Sequence, residues 1–343
     1  MTSTAHPECP VLLDLLLAAD EPAALRLTGR LLASGATPED VLLRLIAPVQ
    51  ARIGELWADD SLSAADEHVA SYISERIVLS CAGTQRPAER SERLVIACAD
   101  GEWHTLPSRL LAEYLRLRGY PVTFLGASVP AAHLTSYLQK HEPAAVLVSV
   151  SLPVRLPSAR RSVLAARHAG VPVLVGGRGF GRTDRWAHRL GADAWAADAV
   201  SAAAILETWP PPAAPDGGSA LGNLADEEYA RLVTETPGLV LTALSVLERW
   251  FPPMRGYTGR QREATADDLN HIAAFLAAAV YVDDESLFAD FVSWLAGILA
   301  ARKVPAAGVD LVLEHLQKTL DGRPRTARIL TAGRTALQAH SPS

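Results

Sequence analysis

Five short apolar segments between residues 93 and 208 constrain the fold of this chain more than any other feature. The predicted strands are 94–99, 122–125, 145–150, 173–175 and 194–196, and helical segments separate them. This alternation with short loops predicts a parallel, doubly wound sheet with right-handed crossovers. The intervening helices are predicted to begin near Pro107, Pro130, Pro157, Thr183 and Val200.

Helical patterns occupy the sequence on both sides of this α/β segment. Before it, patterns over 11–17, 23–32, 38–56 and 64–80 predict an up-and-down bundle, followed by a polar linker at 84–92. After it come a Pro- and Gly-rich stretch and six helical patterns, interrupted by a loop at 251–263, which favour a globin-like fold. We predict a multidomain α and α/β protein: a four-helix bundle cap at 1–84, a Rossmann-like domain at 90–208, a linker at 209–220 and an all-α globin-like domain at 221–343.

Composition excludes several classes of function. With 343 residues, 49% of them apolar, the chain is not disordered, and its net charge of −6 gives no bulk electrostatic reason to bind nucleic acid. Cys9, Cys81 and Cys98 lack metal-ligand spacing and indicate reduced thiols. No apolar run approaches the length of a membrane span, and the first residues lack a signal-peptide pattern. We therefore expect a cytoplasmic protein without direct nucleic-acid or membrane contact.

An acidic residue and a histidine follow the first predicted strand. Glu102 precedes His104 by two residues, on the loop that leads into the next helix. Open parallel sheets bind ligands at this end of their strands. A neutral imidazole nitrogen can bind a metal when a partner holds the other ring nitrogen. His104 is therefore a candidate metal ligand with Glu102 as its partner, and an ordinary surface histidine is the alternative.

The order Glu102-Trp103-His104-Thr105-Leu106 resembles the lower-ligand motif of cobalamin-binding domains. Where that family usually has Gly, this chain has Pro107. The resemblance implies that His104 binds cobalt in place of the vitamin's own base. It also makes Thr105 and Leu106 candidate cofactor contacts.

Two further strand ends extend this resemblance. Ser149 and Ser151 follow the third predicted strand, where the family places hydroxyls against the buried nucleotide base. Gly176 and Gly177 follow the fourth, where the absence of a Cβ lets the backbone approach the nucleotide tail. A nicotinamide- or flavin-binding domain would instead carry Gly-x-Gly-x-x-Gly after its first strand, and these glycines do not fit that pattern.

A second constellation lies in the predicted bundle, where nine residues separate Trp57 from Glu67-His68. A short connection between the third and fourth helices brings all three to the same end of the bundle. An aromatic helix end beside solvated polar residues is the alternative. The phrase 46–57 together with 64–71 resembles the cap of light-sensing, adenosylcobalamin-binding regulators. The resemblance implies that Trp57, Glu67 and His68 cover the adenosyl group. Ala58 stands where those regulators have a second histidine.

The C-terminal domain carries features suited to a tetrapyrrole. An aspartate at a helix start, followed by one aromatic stripe, resembles the chromophore helix of globin-like bilin-binding proteins, but no cysteine follows Cys98 to attach a pigment. The resemblance implies noncovalent biliverdin, with Asp284 at the pyrrole N–H groups and arginines near the propionates. The alternatives are a stripe that is simply core, or a heme globin ligated by His271 or His315. The candidate bilin residues are Arg255, Tyr257, Arg260, Arg262, His271, Asp284, Phe288 and Trp294.

The order of the three domains resembles the photocobilins, photoreceptors that combine adenosylcobalamin with a biliverdin-type pigment. This resemblance implies a light sensor rather than an enzyme, in which light breaks the cobalt–carbon bond and the domains rearrange. We expect a homo-oligomer, a dimer or higher, whose assembly responds to light, and a downstream signalling protein of unknown identity. The alternatives are a corrinoid carrier for methyl transfer and a heme- or ligand-sensing globin-coupled scaffold.

Overall fold

A five-stranded parallel sheet of order β2-β1-β3-β4-β5 organises the α/β segment, as predicted. Its strands are β1 (Leu94–Cys98), β2 (Val122–Phe124), β3 (Ala145–Ser149), β4 (Val173–Gly176) and β5 (Ala194–Ala196). All residues of β1 and β3 are buried, which explains why both are uninterrupted apolar runs. The order of the strands reverses between β1 and β3, and the crevice at such a switch point is where doubly wound sheets bind ligands.

The computed structural model describes residues 5–59, 61–81, 90–210 and 227–339. It divides into two units, Met1–Asp216 and Gly217–Ser343. Apart from residues 90–92 and 209–210, the predicted linkers at 84–92 and 209–220 lie outside the described residues.

Ten helices are described in the first unit, and the predicted bundle is present. Its helices are α1 (Cys9–Leu17), α2 (Glu21–Ala33), α3 (Pro38–Asp40), α4 (Ala47–Ala58) and α5 (Ala64–Cys81). A π-helical stretch, Val41–Ile46, joins α3 to α4 without a break in helical backbone. The helices that accompany the sheet are α6 (Leu106–Leu117), α7 (Ala131–His141), α8 (Leu156–His168), α9 (Arg185–Arg189) and α10 (Ala199–Glu207).

The bundle and the sheet pack together within the first unit, and the predicted division into a cap at 1–84 and a sheet domain at 90–208 stays a prediction. Helix α6 lies between them, and its Tyr114 and Leu115 are fully buried. One continuous cluster of buried apolar side chains runs from Leu12 in α1 through Ile96 in β1 to Leu206 in α10. Because burial contributes about 25 cal/mol per Å² of apolar surface, this shared core ties the cap to the sheet.

The second unit contains five described helices instead of the predicted six. They are α11 (Glu228–Trp250), α12 (Gly259–Val282), α13 (Glu285–Ala301), α14 (Ala307–Thr319) and α15 (Pro324–Ala339). The predicted break at Pro237-Gly238 is wrong. Pro237 and Val233 are exposed, so water can hydrate the carbonyl that the proline leaves without a donor. The globin-like arrangement of these helices stays a prediction.

Helix α11 contradicts the prediction that no apolar segment approaches the length of a membrane span. Its 23 residues are long and apolar enough to cross a bilayer by length and composition alone, with 22% of its apolar window buried. The length of α11 is not evident from the sequence, because a break at Pro237 would divide the helix into two short segments. A core helix of a soluble protein passes the same test, so this is weak evidence for a membrane span.

Gly177 offers a test of how the loops after β3 and β4 pack. Its φ is +95°, and a Cβ would lie 2.3 Å from the carbonyl oxygen of Val150. Gly170, after α8, has a φ of +70° but open space around it. We expect Gly177→Ala to lower the free energy of unfolding by ~3 kcal/mol and Gly170→Ala by ~1 kcal/mol, measured by chemical denaturation of the ligand-free protein. Equal losses would show that the contact with Val150 does not matter.

Candidate functional site

The loop after β1 holds Glu102 and His104 as a hydrogen-bonded pair. One carboxylate oxygen, Oε1, accepts from the backbone N–H of His104 at 2.9 Å and from its Nδ1 at 2.6 Å. The Glu102 side chain is 1% exposed, whereas that of His104 is 56% exposed. Because the carboxylate only accepts, Nδ1 carries the ring proton and Nε2 keeps its lone pair. The exposed imidazole is thus prepared to bind a metal through Nε2.

Backbone hydrogen bonds from neighbouring loops give this loop its shape. Gly101 adopts a φ of +78°, and its N–H donates to Oγ of Ser128 at 2.9 Å. The N–H of Ser128 in turn donates to the carbonyl of Glu102 at 2.9 Å. Ser128 itself has a φ of +48°. The role of Ser128 is not evident from the sequence, since nothing along the chain connects the loop after β2 with Glu102.

Glu102 also joins the loops on the two sides of the switch point. Its second oxygen, Oε2, accepts from the backbone N–H of Ser151 at 2.6 Å. Ser149 is 8% exposed and pairs in register with Cys98 of β1 and Gly176 of β4. The Oγ of Ser151 is buried and makes no hydrogen bond within the described part of the chain. The predicted serines therefore border the same crevice as His104, and one presents an unsatisfied hydroxyl.

The pKa values of the pair move in opposite directions. The hydrogen bond that the His104 ring donates to Glu102 raises the pKa of His104, the burial of His104 opposes this rise, and the charges of Glu102 and Glu67 add to it. Burial raises the pKa of Glu102, but hydrogen bonds from the His104 ring, the His104 backbone and the Ser151 backbone together lower it below the ordinary value. Both shifts favour an ionised Glu102 in contact with the imidazole.

Thr105, Leu106 and Pro107 carry the chain into α6. The hydroxyl of Thr105 donates to Glu75 of α5, which connects this loop directly to the cap. Leu106 is 7% exposed and belongs to the shared core. Pro107 is the second residue of α6, where a missing N–H costs no helical hydrogen bond. The departure from the family's glycine is therefore compatible with the loop.

In the cap, Trp57 lies in the last turn of α4, Glu67 lies in the first turn of α5 and His68 begins its second turn. Glu67 accepts from Oγ of Ser71 at 2.7 Å, and its charge contributes to the raised pKa of His104. Trp57 is partly buried. His68 is 80% exposed, with Nε2 3.7 Å from Glu67. Glu67 is thus the cap residue whose charge contributes to the raised pKa of His104.

Gly176 and Gly177 make close backbone contacts that the sequence does not reveal. Added Cβ atoms would collide with the backbone carbonyls of Ala196 and Val150, at 2.8 and 2.3 Å. The glycines therefore let the ends of neighbouring strands pack closely. They form part of the crevice wall, and their approach to a nucleotide tail stays a prediction.

The predicted bilin residues of the second unit do not form one cluster. Asp284 is buried at the N-terminus of α13, where it accepts from the N–H and Oγ of Ser286. Phe288 is fully buried against Gly333 of α15, and Trp294 is 46% exposed. This part of the stripe is core, because a helix buries one face against its neighbours.

The predicted cations and histidines are also dispersed. Arg260 and Arg262 lie in the first turn of α12 instead of in a loop, and Arg262 pairs with Glu248 at 3.3 Å. His271 is exposed. His315 is half-buried, with Nε2 3.1 Å from Oγ1 of Thr242.

An apolar cavity of about 70 Å³ does exist in this unit, within a partly open cleft of about 510 Å³. Tyr257 is the one predicted bilin residue in its lining, and Asp268 is its only carboxylate. Burial raises the pKa of Asp268, although the residue as a whole is exposed; its position on the apolar wall explains the difference. The lining contains Leu247, Phe251, Met254, Tyr257, Thr265, Asp268, Leu269, Ile272, Leu295, Leu299, Val304, Pro305, Gly308, Val309 and Val312.

The residues at the switch point fit a corrinoid. An oriented imidazole with a free Nε2 suits cobalt, and the buried, unsatisfied Oγ of Ser151 suits a polar group that enters the crevice. Residues 92–204 match the family described as B12 binding domain, and residues 11–79 match a second family of the same description. The chain therefore carries a cobalamin-binding domain together with its helical cap.

The proteins similar to this chain include two transcriptional repressors and a corrinoid protein of known structure. It is 31% identical to the HTH-type transcriptional repressor CarA of Myxococcus xanthus over 176 residues, 47% of this chain and 61% of that protein. It is 30% identical to CarH of the same organism over 182 residues, 50% of this chain and 60% of that protein. The chain thus spans less than two thirds of these relatives. The monomethylamine corrinoid protein of Methanosarcina barkeri matches with a TM-score of 0.50 and 18% identity, over 57% of this chain and 94% of that one, which shows the fold alone.

The pair makes a prediction about pH. Glu102→Gln removes the carboxylate that raises the pKa of His104, so we expect this pKa to fall towards 6.5, measured by NMR titration of the ligand-free protein. Glu67→Gln, which removes a lesser cause, should give a smaller fall. The native pair stabilises the fold between the lowered pKa of Glu102 and the raised pKa of His104, and this contribution is lost outside that window. An unchanged His104 pKa in Glu102→Gln would contradict the hydrogen bond.

Proposed function

We propose that this chain is a light sensor that binds adenosylcobalamin, with His104 as the lower ligand of cobalt. The observation that carries the proposal is the Glu102–His104 pair, which lies at the switch point of a cobalamin-binding domain, on a loop that Thr105 joins to Glu75 of the cap. When bound, adenosylcobalamin supplies a cobalt–carbon bond that visible light breaks. The phrase from Trp57 to His68, similar to light-sensing regulators, supports this form of the cofactor over others.

In this proposal, residues of the sheet loops and residues of the cap have different roles in binding the cofactor. Glu102 fixes the His104 ring so that Nε2 points away from the carboxylate. Ser151 offers its Oγ inside the crevice. Trp57 and Glu67 provide an aromatic surface and a carboxylate on the cap, and His68 adds a solvent-exposed base.

The signal, in this proposal, is a change in the position of the cap. The hydrogen bond between Thr105 and Glu75 joins the metal-ligand loop to α5, and α6 packs on both cap and sheet. Loss of an upper ligand would therefore alter the contact that holds α5 to this loop. We propose that this change shifts the assembly of a homo-oligomer in the cytoplasm and reaches a separate signalling protein, without catalysis by this chain.

A corrinoid carrier for methyl transfer is the second candidate, because the fold match is to a corrinoid protein. That match at 18% identity does not distinguish a carrier from a sensor. The five-helix second unit and the Trp57…Glu67-His68 phrase favour the sensor.

Light response and ligation can be tested together. Protein loaded with adenosylcobalamin and purified in the dark should change its visible spectrum and its elution volume on illumination. His104→Ala should weaken cofactor affinity by at least about tenfold and alter the cobalt bands, since the imidazole ligand is lost. His133→Ala, an exposed histidine of α7, is the matched control and should behave as wild type. A light-stable spectrum, or selective retention of methylcobalamin, would favour the carrier.

We further propose that the second unit binds a biliverdin-type pigment noncovalently, at its cavity and not at Asp284. The apolar lining with Tyr257 and the carboxylate of Asp268 supports this position. Leu295 and Leu299 of α13 line the cavity, and at 1.5 Å per residue they lie roughly 16–22 Å along the helix from Asp284. A tetrapyrrole is larger than 70 Å³, so its binding requires the cleft to widen.

The two carboxylates provide a matched pair of variants. After co-expression with a source of biliverdin, we expect a red-absorbing band that Asp268→Asn weakens several-fold and Asp284→Asn leaves in place. Cobalamin loading should be the same in both variants. Loss of the band in Asp284→Asn alone would restore the site predicted from the sequence, and a Soret band in place of the red band would indicate heme.

A further inference from the structure

Arg155 lies between the two loops that border the switch point. It ends the 3₁₀ turn Pro153–Arg155, which follows β3 and leads into α8. Its guanidinium covers Gly101 in the loop after β1, where an added Cβ would lie 2.7 Å from Nη1. The residue is partly buried and its charge opposes protonation of His104. Arg155 therefore places a cation at the mouth of the crevice.

Within the part of the chain that the structure describes, no carboxylate forms an ion pair with this arginine. Glu102 is nearby, but its Oε1 accepts two hydrogen bonds from His104 and its Oε2 accepts one from Ser151. By contrast, Arg161 on α8 lies 3.7 Å from Asp100. A partly buried guanidinium without a counter-ion is a good binding site for an anion. Charge-assisted hydrogen bonds to the anion offset the free energy that the guanidinium loses when it is removed from water.

We propose that Arg155 binds the phosphodiester of the cobalamin nucleotide tail, an inference that rests on the proposed binding of cobalamin. His104 Nε2 marks the cobalt side of the crevice, and the unsatisfied Oγ of Ser151 marks its interior. Arg155 borders both, four residues after Ser151 and over the loop of His104. The phosphodiester is the anionic group of the tail, and the planar fork of arginine matches its oxygens.

A neighbouring segment places a second cation at the same edge of the sheet. The 3₁₀ turn Arg178–Phe180, after β4, packs against the turn that contains Arg155. Arg178 is exposed. The better-buried Arg155 is the specific contact in this proposal, because surface charges are more strongly screened by solvent and salt.

The test compares two corrinoids that differ in the tail. Ligand-free protein is titrated in the dark with adenosylcobalamin and with adenosylcobinamide, which lacks the nucleotide phosphate and base, and binding is followed by absorbance. We expect Arg155→Gln to raise the Kd for adenosylcobalamin about tenfold and to leave that for adenosylcobinamide unchanged. Arg155→Lys should give an intermediate effect, and the control Arg161→Gln should match wild type with both ligands.

Equal weakening with both corrinoids would overturn the proposal, because it would show that Arg155 acts through the His104 loop. Unchanged affinity for both in Arg155→Gln would overturn it as well. If Arg155→Gln does not fold, as judged by circular dichroism, the Lys variant carries the comparison, and no selective loss for adenosylcobalamin would then refute the assignment. Failure of wild type to bind any corrinoid would instead refute the proposed function.

Discussion

The buried carboxylate of Glu102 is the interaction on which the rest of the site depends. An ionised carboxylate with 1% exposure is tolerated only because three N–H groups surround it, two from His104 and one from the backbone of Ser151. These same bonds orient the imidazole and join the loops after β1 and β3. One side chain thus both orients the His104 ring and joins the two loops that border the crevice.

The shared core connects the loop of Glu102 and His104 to the helices of the cap. Helix α6 begins at the end of the ligand loop and packs against α5, while Thr105 donates to Glu75 of the same cap helix. A bundle that belonged to a separate domain could move without disturbing His104. In this chain the cap contacts the loop that carries His104, so displacement of either would affect the other.

Much of the first unit could be predicted from sequence because its signals are local. Buried strands are continuous apolar runs, and Glu102 and His104 are only two residues apart. The bond from Ser151 to Glu102, the support from Ser128 and the position of Arg155 over Gly101 join loops far apart in the chain, and no periodicity reveals such contacts. In the second unit, the stripe of Phe288 and Phe291 fitted core and ligand site equally well, and packing against Gly333 decided for core at Phe288.

The π-helical stretch Val41–Ile46 governs the direction in which the cap presents its aromatic residue. A π-helical turn contains one residue more than an α-helical turn. Because successive side chains of an α-helix are rotated by about 100° around its axis, the extra residue changes the side on which every later side chain lies. Trp57 lies eleven residues after the end of this stretch, in the same continuous helix. The side of the helix on which the indole lies therefore depends on the backbone hydrogen bonds of this stretch, about three turns before Trp57. The stretch is held in place because Leu42, Leu45 and Ile46 are fully buried.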